Sequence, residues 1–153
     1  MQLSHNLSPF AQTLNKSEEW MHDIQCQLGT PNAESVYRAT RGTLHALRDQ
    51  LIPTEATDLA AQLPMLLRGL FFEGYRLTNA PDRIRSCDQF LQRIACELQP
   101  GADPGPQQAA CAVFNAIEHH VSRGEVKDVR NMLPESIRKL WPRTEEGSQQ
   151  MHA

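Results

Sequence analysis

Residues 60–70 read AAQLPMLLRGL, and residues 130–140 keep the same framework as RNMLPESIRKL. In both stretches a Leu-Pro pair is followed, four residues after the proline, by an arginine. A proline inside a helix cannot donate a hydrogen bond to the carbonyl four residues before it, so the carbonyls of Ala60 and Arg130 should lack their helical partner. The pattern therefore predicts a helix that is kinked or interrupted at each proline.

The similarity between the two stretches extends along most of the chain at a constant offset of 70 positions. The shared motif consists of Leu63, Pro64 and Arg68 in the first copy and of Leu133, Pro134 and Arg138 in the second. Other identical pairs are Ile24 and Ile94, Ala46 and Ala116, Glu55 and Glu125, Asp58 and Asp128, and Leu70 and Leu140. Self-similarity at a fixed period is typical of repeat architectures, because each unit needs its neighbour to cover its apolar face. We therefore predict two tandem three-helix repeats, residues 10–78 and 86–142, related by a pseudo-two-fold axis.

Six stretches of the chain place apolar residues at spacings of three and four, which is the periodicity of amphipathic helices. No sustained run alternates β-branched with polar residues, as a half-buried strand would. The predicted fold class is all-α, a six-helix bundle that forms one domain over residues 1–153. Residues 143–153 hold almost no apolar side chains, so we expect a disordered tail there.

Composition narrows the classes of function. A formal charge of −3, with acids and bases intermixed, gives no basic field for nucleic acid. No apolar run reaches the ~18 residues of a membrane span, and the start lacks the basic and apolar regions of a secretory signal, so the expected location is the cytoplasm. The four cysteines form no Cys-x-x-Cys pair, and no phosphate-binding glycine loop or zinc motif occurs, so neither a metal nor a cofactor is predicted.

Two surfaces are candidates for contact with a partner. The first, the arginine strip, lies opposite the apolar stripe of the second predicted helix and consists of Arg38, Arg41, His45 and Arg48. It could bind an acidic partner, although charges on that side of an amphipathic helix usually just face solvent. The second, the aromatic cluster, consists of Phe71, Phe72 and Tyr75. It either covers the core between the two units or forms a docking patch.

The residues favour a non-enzymatic interaction module that binds an unidentified protein or associates with itself. The alternative is a protein that binds a small apolar ligand in a pocket between the two units, lined by Leu66, Leu70, Phe71, Ile137 and Trp141. An enzyme that uses His45, Asp49 or the repeated arginines is a third hypothesis, but no nucleophile, base and oxyanion donor can be assembled from the sequence. The repeated Asp58, Asp128, Arg68 and Arg138 are expected to stabilise each unit through salt bridges or carbonyl caps.

The strings ATR at residues 39–41, LHALRD at 44–49 and AAQLPMLLRG at 60–69 resemble the bacterial family called domain of unknown function 2267. The segments EWM at residues 19–21 and GEV at 124–126 are also similar to its pattern, whereas Tyr75 stands where many members have tryptophan. The resemblance covers residues 10–142. It implies a helical fold, a bacterial source and an association with stress-response gene neighbourhoods, but no established activity.

Overall fold

The structure, a computed structural model, describes residues 8–77, 83–101 and 103–142. Within these ranges the chain forms eight helices and no strand, which confirms the all-α class. In chain order the helices are α1 (Ser8–Leu28), α2 (Ala33–Arg48), α3 (Pro53–Ala61), α4 (Met65–Phe72), α5 (Cys87–Ala95), α6 (Pro106–His120), α7 (Arg123–Met132) and α8 (Glu135–Arg138). The predicted disordered tail, residues 143–153, lies outside the described residues.

The sequence predicts six helices and the described residues form eight, and the two Leu-Pro pairs explain the difference. Pro64 separates α3 from α4, and Pro134 separates α7 from α8. Both prolines have extended backbone angles, with φ −59° and ψ 153° at Pro64 and φ −57° and ψ 151° at Pro134. The chain therefore leaves the helical conformation at each proline and begins a new helix immediately after it.

Local signals in the sequence set the other helix ends. The side chain of Asn32 accepts hydrogen bonds from the main-chain N–H groups of Glu34 and Ser35 and so caps α2. Ser86 and Ser122 cap α5 and α7 in the same way. Helix α1 ends at Leu28 and is followed by Gly29, whose φ of 68° lies in the left-handed region that glycine adopts without strain.

Helices α1, α2 and α6 pack together at the centre of the molecule. Helix α5 lies against α2 and α6, α4 lies against α1 and α2, and α3 lies against α7. One hydrophobic core runs through these contacts, with Trp20, Leu47 and Phe71 among its members in the first half and Phe114 and Trp141 in the second. No helix in the described ranges is both long enough and apolar enough to cross a bilayer.

The contact between α2 and α5 requires a residue without a side chain. A Cβ atom at Gly42 would lie 2.9 Å from Cβ of Glu97 and 3.3 Å from the carbonyl oxygen of Ile94. Neither atom is the free end of a flexible side chain, so one helix would have to move. By contrast, a Cβ atom at Gly69 in α4 would meet nothing within 4 Å.

The pair Gly42→Ala and Gly69→Ala tests this close approach. Both glycines are helical, so alanine gains up to about 1 kcal/mol of helix propensity at either position. We expect Gly69→Ala to be neutral or stabilising, and Gly42→Ala to destabilise by about 1–3 kcal/mol because of overpacking. Urea denaturation measures both free energies of unfolding, and equal stabilisation in the two variants would contradict the close approach.

Candidate functional site

The arginine of each Leu-Pro motif binds the carbonyls next to the interruption. Nε of Arg68 donates to the carbonyl oxygen of Ala60 at 2.9 Å, and Nη2 donates to the carbonyl oxygens of Leu63 at 3.1 Å and Ala61 at 3.3 Å. In the second half, Nε of Arg138 donates to Arg130 at 3.1 Å and Nη2 donates to Leu133 at 2.9 Å. Of the two predicted roles, salt bridge and carbonyl cap, these arginines perform the carbonyl cap.

Two members of the arginine strip are buried. Arg48 is 5% exposed and His45 is 6% exposed, so the prediction that they face solvent is wrong. Nη1 of Arg48 donates to the carbonyl oxygens of Phe71 at 2.9 Å and Glu73 at 2.5 Å. Their burial follows from α4, because its last carbonyls lie over the side of α2 that helical periodicity alone assigns to water.

The imidazole of His45 has a fixed protonation pattern. Its Nε2 lies 2.7 Å from the carbonyl oxygen of Leu70, and a carbonyl can only accept, so Nε2 carries the hydrogen. Burial is the main cause that lowers the pKa of His45. The residue is therefore a neutral donor at pH 7 rather than a positive charge available to an acidic partner.

The remaining members of the strip, Arg38 and Arg41, are paired within the chain. Nη1 of Arg41 lies 2.5 Å from Glu97 Oε2, and Nη2 lies 3.6 Å from Glu73 Oε1. The hydrogen bond to Glu97 is the main cause that raises the pKa of Arg41. Arg38 bonds Glu34 at 3.0 Å. The arginine strip is thus a network that joins α2 to α4 and α5.

The aromatic cluster lies at the edge of the hydrophobic core. Phe71 is fully buried, and its ring meets that of Phe72 edge to face with centroids 5.1 Å apart. The ring of Tyr75 lies 5.6 Å from that of Phe72 and 5.5 Å from the guanidinium carbon of Arg48. Phe72 and Tyr75 are half-buried. The cluster therefore covers the core and the buried arginine.

The residues expected to line an apolar pocket between the two units differ in their exposure. Phe71, Ile137 and Trp141 are packed in the core, whereas Leu66 is 51% exposed. The ring of Trp141 stacks on Phe114, with centroids 4.4 Å apart. Phe71, Ile137 and Trp141 therefore belong to the hydrophobic core.

A cluster of acids, which the sequence did not predict, lies where α3 meets α7. Carboxylate oxygens of Glu55, Asp58 and Glu125 all lie within 4.8 Å of one another. Oε1 of Glu55 and Oε1 of Glu125 are buried, and no donor in the described residues reaches either of them. Such a set of hard oxygen donors is of the type that Mg²⁺ or Ca²⁺ accepts.

The environment of Glu125 favours its protonated form. Desolvation is the largest cause, followed by a hydrogen bond to Glu55 and by the negative charges of Glu55, Asp58 and Asp128, and together they raise the pKa of Glu125 to about 8. A proton on one of the two glutamates supplies the donor that their buried oxygens otherwise lack. The signal in the sequence was the offset of 70 that pairs Glu55 with Glu125, since the predicted pseudo-two-fold axis would bring equivalent residues together.

A polar groove opens between α1, the interruption after α3, and the end of α6. Its volume is about 490 Å³, and its polar lining includes Thr13, Lys16, Gln62, Arg68 and His120. The ring of His120 stacks on Trp20, with centroids 4.8 Å apart, and its Nε2 lies 2.5 Å from Oδ2 of Asp23. A second, larger groove of about 700 Å³ lies along the other side of α1, with Glu18 and Glu19 in its lining.

One protein family matches most of the helical part of the chain. The family described as an uncharacterized conserved protein, DUF2267, matches residues 17–140. The chain belongs to this family. The DUF2267 match includes both Leu-Pro motifs, the arginine strip, the acids between α3 and α7, and the part of the groove that begins at Glu19. No curated protein matches the chain.

Replacement of Arg48 tests whether the strip is structural in this DUF2267 protein. The variant Arg48→Met keeps most of the apolar stem but leaves the buried carbonyls of Phe71 and Glu73 without their donor, so we expect a loss of about 2–3 kcal/mol in the free energy of unfolding. Arg76→Met, at an exposed position, is the matched control and should change stability by no more than ~0.5 kcal/mol. Urea denaturation measures both, and equal effects would mean that Arg48 does not hold α4.

Proposed function

We propose that this DUF2267 protein is a non-enzymatic binding protein that takes up a small organic anion in the groove between α1, the α3–α4 interruption and the end of α6. The groove volume of about 490 Å³ falls in the range of small-molecule sites. The observation that carries the proposal is the hydroxyl of Thr13, which lines this groove.

Thr13 is 8% exposed, and its Oγ1 has no hydrogen-bond partner among the residues that the structure describes. A buried hydroxyl without a partner costs about 1–3 kcal/mol. An acceptor oxygen of a bound ligand would supply the missing hydrogen bond and recover this free energy. The hydroxyl therefore favours a ligand that offers oxygen acceptors, such as a carboxylate or a phosphate.

The charges around the groove favour the same class of ligand. Lys16 and Arg68 contribute two positive charges, against the one negative charge of Glu19. The guanidinium of Arg68 is held in place by its bonds to main-chain carbonyls, which use Nε and Nη2. Nη1 has no bond to any residue that the structure describes and is available to a ligand, so binding would need little reordering of this side chain. Trp20 and Met65 add apolar surface to the lining and suit an anion that carries a ring.

We also infer that the two halves are tandem copies related by a pseudo-two-fold axis. The support is that Arg68 and Arg138, 70 positions apart, bind equivalent pairs of carbonyls at equivalent interruptions. The groove itself is not duplicated in the sequence, because Arg83, Ser86 and Glu135 stand 70 positions after Thr13, Lys16 and Met65. One anion site per chain is therefore proposed.

A protein partner, or self-association, stays a prediction from the sequence. The arginine strip and the aromatic cluster, on which it rested, make their contacts within the chain. The cytoplasmic location, the bacterial source and the link to stress responses likewise stay expectations.

Tryptophan fluorescence can measure binding in the groove directly. The chain has two tryptophans, so the variant Trp141→Phe makes Trp20, in the groove wall, the sole reporter. We expect saturable changes in its emission with phenyl phosphate and with benzoate, but not with benzyl alcohol, which has the ring without the anionic group. Whether one or both anions bind distinguishes phosphate from carboxylate recognition.

Three variants in the Trp141→Phe background locate the site. Lys16→Gln and Thr13→Val should each weaken binding about fivefold, the equivalent of one hydrogen bond of ~1 kcal/mol. Thr13→Val should also stabilise the free protein, since it removes the unpartnered hydroxyl. Lys139→Gln, at an exposed lysine on the other half, is the control and should bind like its parent. No saturable response to either anion up to about 10 mM would contradict the proposal.

A further inference from the structure

The contact between α3 and α7 joins the first half of the chain to the second. Gln62, directly after α3, bonds Ser122, the cap of α7: its Oε1 accepts from the Ser122 N–H at 2.8 Å, and its Nε2 donates to Ser122 Oγ at 3.0 Å. Glu55 and Glu125 each occupy the first turn of their own helix. The carboxyl groups of both glutamates therefore face each other across a junction that is fixed elsewhere by neutral hydrogen bonds.

Two ionised carboxylates cannot occupy this contact without repulsion. Their buried Oε1 atoms have no donor among the described residues. Carboxylate oxygens of Glu55, Glu125 and Asp58 all lie within 4.8 Å of one another. One proton between the two glutamates converts the repulsion into a hydrogen bond. Loss of that proton leaves two negative charges, partly shielded from water, at the junction of two helices.

We propose that the Glu55–Glu125 contact is a proton-operated latch between α3 and α7, closed while the two carboxyls share one proton and loosened when that proton leaves. The inference does not rest on the proposed groove, because its residues and its test are different. Gln62 is the one residue that the two regions share: it lines the groove, and it bonds Ser122, the cap of α7.

Burial and the surrounding charges together set the pH at which the latch opens. The charged groups that act on Glu125 are Glu55 and Asp58 from α3 and Asp128 from its own helix, and each of them opposes ionisation. Burial is the largest cause, and the pKa of Glu125 rises from 4.5 to about 8. A raised carboxyl pKa contributes stability that is complete below the unfolded value and is lost as the pH rises through the folded value. The latch therefore holds its proton at pH 6 and loses it as the pH rises through about 8.

Thermal melts of the full chain between pH 5 and pH 9.5 test the latch. The parent should lose stability as the pH rises, with the folding equilibrium falling by at most about tenfold per pH unit, the limit for one proton. Glu125→Gln keeps a neutral group that can donate to Glu55, so its profile should be flatter and it should become the more stable protein above pH 8. Glu55→Gln is the second variant and should also flatten the profile. Glu135→Gln is the control, since Glu135 is an exposed acid in the first turn of α8, and its profile should follow that of the parent.

Amide hydrogen exchange at pH 6 and pH 9, corrected for intrinsic rates, locates the effect. Protection should fall in α3 and α7 of the parent but not of Glu125→Gln. Parallel melting profiles for the parent and both glutamine variants would overturn the proposal. So would recovery of the parent at pH 9 on addition of MgCl₂ or CaCl₂ with no recovery of Glu125→Gln, because the carboxyls would then form a cation site instead of a proton latch.

Discussion

The bonds from arginine side chains to main-chain carbonyls are the interaction on which the rest of this structure depends. A proline that interrupts a buried helix removes a donor, and the carbonyls at the break must find another one, because an unpaired buried carbonyl is costly. At the two interruptions the carbonyls of Ala60 and Arg130 accept from the main-chain N–H groups of Leu63 and Leu133, and Arg68 and Arg138 supply a second donor to them. At the end of α4, Arg48 donates hydrogen bonds to the carbonyls of Phe71 and Glu73 in the same way. The short helices α3, α4, α7 and α8 can turn sharply because their exposed main-chain ends are satisfied in this way.

The acid cluster and the groove are the two features of the structure that remain as candidates for function. The side-chain hydrogen bonds of Arg68 and Arg138 go to carbonyls, and the acids Glu55, Asp58 and Glu125 meet one another between α3 and α7. The interruption after α3 also opens the wall of the groove, where the bound guanidinium of Arg68 presents its remaining nitrogen. The candidate ligand site is lined by the Leu-Pro-Arg motif of the first half, whereas the proposed latch lies between α3 and α7.

The sequence predicted the features that depend on neighbours along the chain. The all-α class followed from helical periodicity, the interruptions from Pro64 and Pro134, and the family from its local strings. The burial of His45 and Arg48 was missed, because the periodicity of α2 describes one apolar face and carries no information about a second helix that covers the other side. The acid cluster and the groove were missed for a related reason. Both bring together segments that are far apart in sequence, and only the offset that pairs Glu55 with Glu125 hinted at one of them.

Whether the motif arginines stabilise the interruptions is tested most directly by urea denaturation of Arg68→Met and Arg138→Met. The free energies of unfolding are compared with that of Arg76→Met. Methionine keeps an apolar stem but donates nothing to the carbonyls. We expect a loss of about 1–2 kcal/mol for each motif arginine, with the larger loss at Arg138, since it is half-buried whereas Arg68 is exposed to competing water. Losses no larger than the ~0.5 kcal/mol expected for a surface substitution such as Arg76→Met would show that the interruptions are held by other contacts.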